Sequence, residues 1–173
     1  QGLLRNPLAD PGIIGISASA GLGAVTAIYL GLSTLWIFAI PVMAMAFAFV
    51  SIVLLFALAS RDGRVLTLIL SGIGISSLAT ACISLVMNFA PTPMSLRDMV
   101  FWLMGSLDNR TTEDLLMMLP FVLTGWVLLA SVGRGLNALA LGEDAAHSLG
   151  INLNRLRWLV VLGTALSVGA TVA

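Results

Sequence analysis

The chain has 173 residues, of which 59% are hydrophobic and 9% charged, and its mean hydropathy is +1.06. Soluble proteins carry about 25% charged residues, so this chain cannot clothe a water-facing surface, and a bilayer is its natural solvent. The formal net charge is zero and lysine is absent, which argues against a nucleic-acid partner and the basic face it would need.

The ends and the cysteine add little chemistry. Cys82 is the single cysteine; it allows no intrachain disulfide and no cysteine-rich metal site, and it reads as a small buried side chain. The chain opens without Met or a recognisable signal peptide and stops at Thr171-Val172-Ala173, inside an apolar run. The expectation is a piece of a longer membrane protein.

In chain order, the first segment holds Arg5, Asn6 and Asp10 between Pro7 and Pro11. The prolines fix φ and stop helix, so the segment ends one span and aims the next; a catalytic role is not expected. No charge occurs between Pro11 and Ser60. That run is too long for one span. It breaks near Gly31-Leu32-Ser33-Thr34, and Pro41 suits the first turn of a new helix. The pattern predicts helices over 13–31, 38–59 and 66–88, the last closed by Asn88 and Pro91-Thr92-Pro93. A fourth covers 115–132, with Pro120 in its first turns, and a fifth begins near Arg155 and is cut off. Complete spans of roughly 18–22 residues can cross a hydrocarbon core of about 30 Å.

Charge bias sets the direction. Arg5, Arg61, Arg64, Arg134, Arg155 and Arg157 fall on one side; Arg97 and Arg110 fall on the other. Six against two puts the first group in the cytoplasm. Trp36 and Trp102 would then lie near the outer interface and Trp158 near the inner one, while Trp126 falls mid-span as a packing residue.

Two spans carry four-residue repeats. Gly15, Ser19, Gly23, Ala27 and Gly31 form a small-residue ridge. Lipid tails are as apolar as leucine, so helices associate by close backbone approach, and such a ridge permits it. Gly72, Ser76, Thr80, Ser84 and Asn88 form a small and polar stripe. Its hydroxyls either bond their own helix or a neighbour, or line a hydrophilic route for a solute. No span carries a charge, which weighs against an ion-coupled carrier and against a carboxylate-ring channel.

The outer loop "APTPMSLRDMVFWLMGSLDNRTTED" predicts a short helix capped by Ser95. Met99, Val100, Leu103 and Met104 would lie in the interface, with Trp102 as anchor. Arg97 and Arg110 are ordinary solvated loop charges or a docking pair for an external partner.

The longest polar stretch is "LNALALGEDAAHSLGINLNRLRW", Leu136 to Trp158. Asn137 can cap a turn through "ALAL". Gly142 breaks it, and Glu143 and Asp144 open a second short helix, where negative charge suits the dipole. Gly150 is a natural stop, and Asn154 can cap the next span. A plain connector needs about two to eight residues. This one is a structured knob whose leucines either dock a partner or lie back on the bundle. His147 lacks a second ligand at helical spacing, so metal ligation is not expected.

"GEDAAHSLG" resembles the EAA-type loop of ATP-binding-cassette importer permeases. Together "LRNPLADPGIIGIS", "LRDMVFWLMGSL" and "LNALALGEDAAHSLGI" resemble the FecCD family, permeases for iron-siderophore, haem and cobalamin uptake, in that family's order and over essentially the whole chain. The family's later "GFVGLVVPH" segment is absent. The resemblance implies an all-α polytopic transmembrane bundle, with about five spans present of ten, in the bacterial cytoplasmic (inner) membrane. Residues 1–173 would be a permease-domain fragment with its coupling loop at 134–154.

The resemblance also implies a second permease subunit, either a copy or a close homologue, and cytoplasmic ATP-binding subunits that hold ATP and Mg, with no cofactor on this chain. A periplasmic substrate-binding protein would dock at Arg97 and Arg110. By the same comparison Leu139, Leu141, Glu143, Asp144, Leu149 and Gly150 sit at the ATPase contact. Gly72, Ser76, Thr80, Ser84 and Asn88 fall on the pathway, and Arg64, Val65, Leu66 and Thr67 at the inner gate. A secondary carrier or channel without an ATPase is the alternative; a membrane enzyme would want clustered His or carboxylates near a span end.

Overall fold

In a computed structural model, residues 12, 15–59, 65–105 and 112–172 are described. They form helices only: α1 (Ile16–Tyr29), α2 (Leu32–Leu35), α3 (Ala39–Ala59), α4 (Val65–Asn88), α5 (Pro93–Met104), α6 (Thr112–Ser131), α7 (Gly133–Ala140), α8 (Glu143–Ser148) and α9 (Leu153–Val172). Arg5, Arg61, Arg64 and Arg110 lie outside the described residues.

α1 is the hub and touches α2, α3, α4, α5 and α9. The small-residue ridge explains this. Ser19, Gly23 and Ala27 are buried. A Cβ on Gly23 would strike the Met43 carbonyl and come within 3.0 Å of the Ala44 Cα on α3. One on Gly15 would lie 3.0 Å from the Gly72 carbonyl and the Ser76 nitrogen on α4. The same ridge therefore serves two neighbours, because a four-residue repeat drifts by about 40° per step around a helix of 3.6 residues per turn.

α6 packs chiefly on α9. Their crossing rests on a reciprocal pair that the sequence reading passed over. A Cβ on Gly125 would meet Ser167 and, at 2.7 Å, the Gly163 carbonyl; one on Gly163 would meet the Gly125 carbonyl at 3.0 Å.

Different contacts mark the two ends. Val25, Ile28 and Met99, with Ile83, Val86 and Trp102 against them, join the end of α1 to α4 and α5. At the other end Phe56 of α3 stacks on Trp158 of α9, with ring centroids 3.4 Å apart and planes 7° apart. That contact brings the end of α3 and the start of α9 to the same end of the bundle.

Large apolar side chains are exposed along α3, α4 and α6, among them Phe49, Leu70, Leu78 and Val127. By length and apolarity Ala39–Leu58 and Leu66–Asn88 can each cross a membrane, and a third span results if Met118–Ser131 and Gly133–Ala140, bent by 45°, are taken together. Five were expected. α1 has 14 residues because Gly31, at φ +67°, turns the chain into α2. α9 has 20 residues but opens on Arg155 and Arg157.

Several local expectations are corrected. α5 is capped by Thr92, not Ser95: Pro93 presets the first turn, and Thr92 Oγ1 accepts from the Ser95 N–H at 3.1 Å. Asn137 lies inside α7, which starts at Gly133. α9 is capped by Asn152, whose Oδ1 accepts from the Arg155 N–H at 3.0 Å, not by Asn154. Pro120 is mid-helix, with Thr124 Oγ1 donating to its carbonyl at 2.6 Å. Trp126 is 61% exposed, so most of its surface faces out from the described residues. The α5 face divides: Met99 is fully buried and Leu103 reaches over Gly21 of α1, while Val100 and Met104 stay exposed, as does much of Leu103.

These approaches give a direct comparison. Gly23→Ala should destabilise the full-length permease by about 1–3 kcal/mol, since the α3 backbone must move. Gly74→Ala, with open space around it, should not. Thermal unfolding in detergent reads both, and equal midpoints would refute the hub role of Gly23.

Candidate functional site

The knob is built by α7 and α8 folding back on α9. α7 leaves α6 at Val132–Gly133, and Gly135 lets it approach, since a Cβ there would lie 2.7 Å from a Leu156 methyl. Leu139 is 1% exposed and shares one buried cluster with Leu156, Phe56 and Leu68. Ala146 is buried as well, and Ile151 and Leu153 pack against the cluster.

α8 is closed at both ends. Gly142 precedes it at φ +123° and accepts from the Ala146 N–H at 3.0 Å. Glu143 and Asp144 occupy the first turn, where carboxylates complement the positive end of the helix dipole. At the far end Gly150 is left-handed, at φ +77°. Its N–H donates to the His147 carbonyl at 2.9 Å, and the Ile151 N–H donates to Ala146 at 3.1 Å. This is a Schellman stop, and it needs the glycine.

The two readings of the leucines divide the set between them. Leu139 lies back on the bundle and offers nothing to a partner. Leu141 and Leu149 project outward, 75% and 65% exposed, with Asp144 and Gly150 also exposed. Glu143 is engaged at once: its Oε1 is 3.0 Å from Arg157 Nη2, across fourteen residues, and the arginine side chain is only 13% exposed. His147 is exposed, and among the described residues no three metal-ligating side chains converge.

The stripe on α4 is not one face. Gly72 is buried against Gly15 of α1, Ser76 is half-buried, and Thr80, Ser84 and Asn88 are exposed. The drift of about 40° per step carries Asn88 about 160° around from Gly72, so Gly72 is a packing contact. The hydroxyls bond their own helix: Thr80 to the Ser76 carbonyl at 2.9 Å, Ser84 to Thr80 at 3.1 Å, and the Asn88 amide to Ser84 at 2.9 Å. α4 is nonetheless far less covered than α3.

Of the gate set, Val65 begins α4, Leu66 is exposed and Thr67 is half-buried. Leu68, the next residue, joins the cluster of Leu139 and Leu156. Arg97 is exposed with its guanidinium 5.4 Å from the Phe101 ring centroid, and Leu66 and Arg97 stand near opposite ends of the bundle.

The FecCD transport family model matches residues 1–173. The chain belongs to the FecCD transport family. Over its whole length it is 39% identical to the uncharacterized ABC transporter permease YvrB of Bacillus subtilis, covering 50% of that protein. It is 37% identical to the molybdate import permease MolB of Haemophilus influenzae, covering 51%, and 34% identical to the cobalamin import permease BtuC of Halobacterium salinarum, covering 46%. Among solved structures, a transporter described as metal-chelate type and inward-facing superposes with a TM-score of 0.88 at 35% identity, over 99% of this chain and 55% of the other. The chain thus spans about half the length of the curated relatives it matches. The all-α membrane-bundle architecture expected from the sequence is that of this family.

Replacing Gly150 with Ala would force a Cβ into left-handed backbone, at a cost of about 1 kcal/mol. Amide exchange over Glu143–Ile151 should quicken about fivefold by hydrogen-exchange mass spectrometry, while α3 keeps its protection. Unchanged exchange in the knob would show that the glycine stop does not hold it.

Proposed function

We propose that this chain is part of the membrane-spanning permease subunit of an ATP-driven importer in the bacterial cytoplasmic membrane. The observation that carries the reading is a knob clamped to the bundle yet presenting two bare leucines, at the same end as the gate residues. A free loop would transmit no force, and a knob with only inward leucines would offer no grip. Leu141, Leu149, Asp144 and Gly150 form the surface that a cytoplasmic ATP-binding subunit grasps, and that subunit supplies ATP and Mg. Chemistry stays off this chain, whose part is mechanical.

The route runs beside Thr80, Ser84 and Asn88 of α4, completed by a second permease subunit. Residues Arg64 to Thr67 close it on the inside. These α4 groups are neutral and already bonded to their own helix. A wall of that kind suits a bulky amphiphilic solute (an iron chelate, haem or cobalamin) better than a small oxyanion, which would draw on fixed cations. Delivery is from a periplasmic binding protein at the α5 end, through Arg97 and Arg110.

Leu149→Asp should abolish substrate-stimulated ATP hydrolysis by the assembled complex while membrane insertion stays normal; hydrolysis at the unmodified rate would remove the docking surface. Arg97→Glu should weaken binding of the substrate-binding protein to the full-length permease in nanodiscs by about tenfold, more at low salt than at high. Affinity insensitive to both the substitution and salt would remove Arg97 from that interface.

A further inference from the structure

Arg155 and Arg157 stand in the first two turns of α9, the positive end of its dipole, where a cation is disfavoured. Arg157 is also largely covered, and burying a charge is costly unless it is paired. Glu143 provides the pairing from α8. The next residue, Trp158, stacks face to face on Phe56 near the end of α3. One residue thus grips the knob and its neighbour grips α3. Phe56 belongs to the buried cluster that includes Leu68 of α4, beside the gate residues Leu66 and Thr67.

We infer that Arg157 and Trp158 are positioning residues that form a joint: movement of the knob reaches the inner gate through Glu143–Arg157, then α9, then the Trp158–Phe56 stack. The inference rests on the proposed coupling to an ATPase and adds the path by which it acts. Glu143 is then an inward strut rather than part of the docking surface. The stack is suited to this task because two flat rings face to face cannot tilt relative to one another without losing contact, so they tilt together. The ion pair is suited because it joins α8 to α9 through a guanidinium that is only 13% exposed and so has little room to swing aside.

The test uses the full-length permease with its ATPase in proteoliposomes, measuring retained ATPase, ATP hydrolysis and substrate moved per ATP. Arg157→Gln and Trp158→Leu should each keep hydrolysis within about twofold and lower substrate moved per ATP by about fivefold to tenfold, the range of a coupling residue remote from both ligands. Trp158→Phe, which keeps a ring for Phe56, should restore most of it. The exchange Glu143→Arg with Arg157→Glu should recover more than Arg157→Gln. The inference is overturned if substrate per ATP is unchanged in both single variants, or if Trp158→Phe is as defective as Trp158→Leu. If the unmodified permease retains no ATPase, the parent reading fails first, and that result is distinct from either.

Discussion

Everything in this bundle depends on backbone-to-backbone approach at α1. A membrane gives helices no hydrophobic reason to associate, so contact must come from dispersion between surfaces that fit closely. α1 fits because Gly15 and Gly23 remove the atoms that would hold α4 and α3 away. Gly125 and Gly163 repeat the device between α6 and α9. A stack of close crossings moves as a set of rigid pieces, because packed interfaces slip between discrete states and do not stretch. That is the property a mechanically driven permease requires.

The knob inherits its stiffness from the same economy. It has one glycine to approach α9 (Gly135), one to break the chain (Gly142) and one to stop α8 (Gly150). Between them Leu139 and Ala146 are driven into the bundle. The outward leucines are then held at fixed positions rather than on a tether. On the proposed reading, a partner that binds them would lose little ordering entropy, and its movement would reach α9 rather than be lost in the loop.

Much of this was legible in the sequence. The helix-forming runs, the break at Gly31, the ridge on α1 and the two-helix knob all rest on local spacing. What was missed lies between elements. The pairing of Gly125 with Gly163, of Glu143 with Arg157 and of Phe56 with Trp158 joins residues at no helical interval, so no periodicity exposes them. The cap positions slipped by two or three residues because Thr92 and Ser95, or Asn152 and Asn154, are equally good acceptors by type. The proline at position 93 was the available clue for the first pair. The α4 stripe was misjudged for a different reason: a spacing of four looks straight when written as a sequence but winds around a real helix, so Gly72 and Asn88 part company.

Thr80, Ser84 and Asn88 each donate to the carbonyl one turn back on α4. The hydroxyl protons of Thr80 and Ser84 are thereby used within the helix, so this part of the surface incurs little penalty whether it meets water, cargo or hydrocarbon. It can be flooded at one stage of a cycle and sealed dry at another without re-forming any bond. It also holds nothing tightly, so a large passenger would slide along it and leave, and selectivity would have to be exercised before the passenger entered.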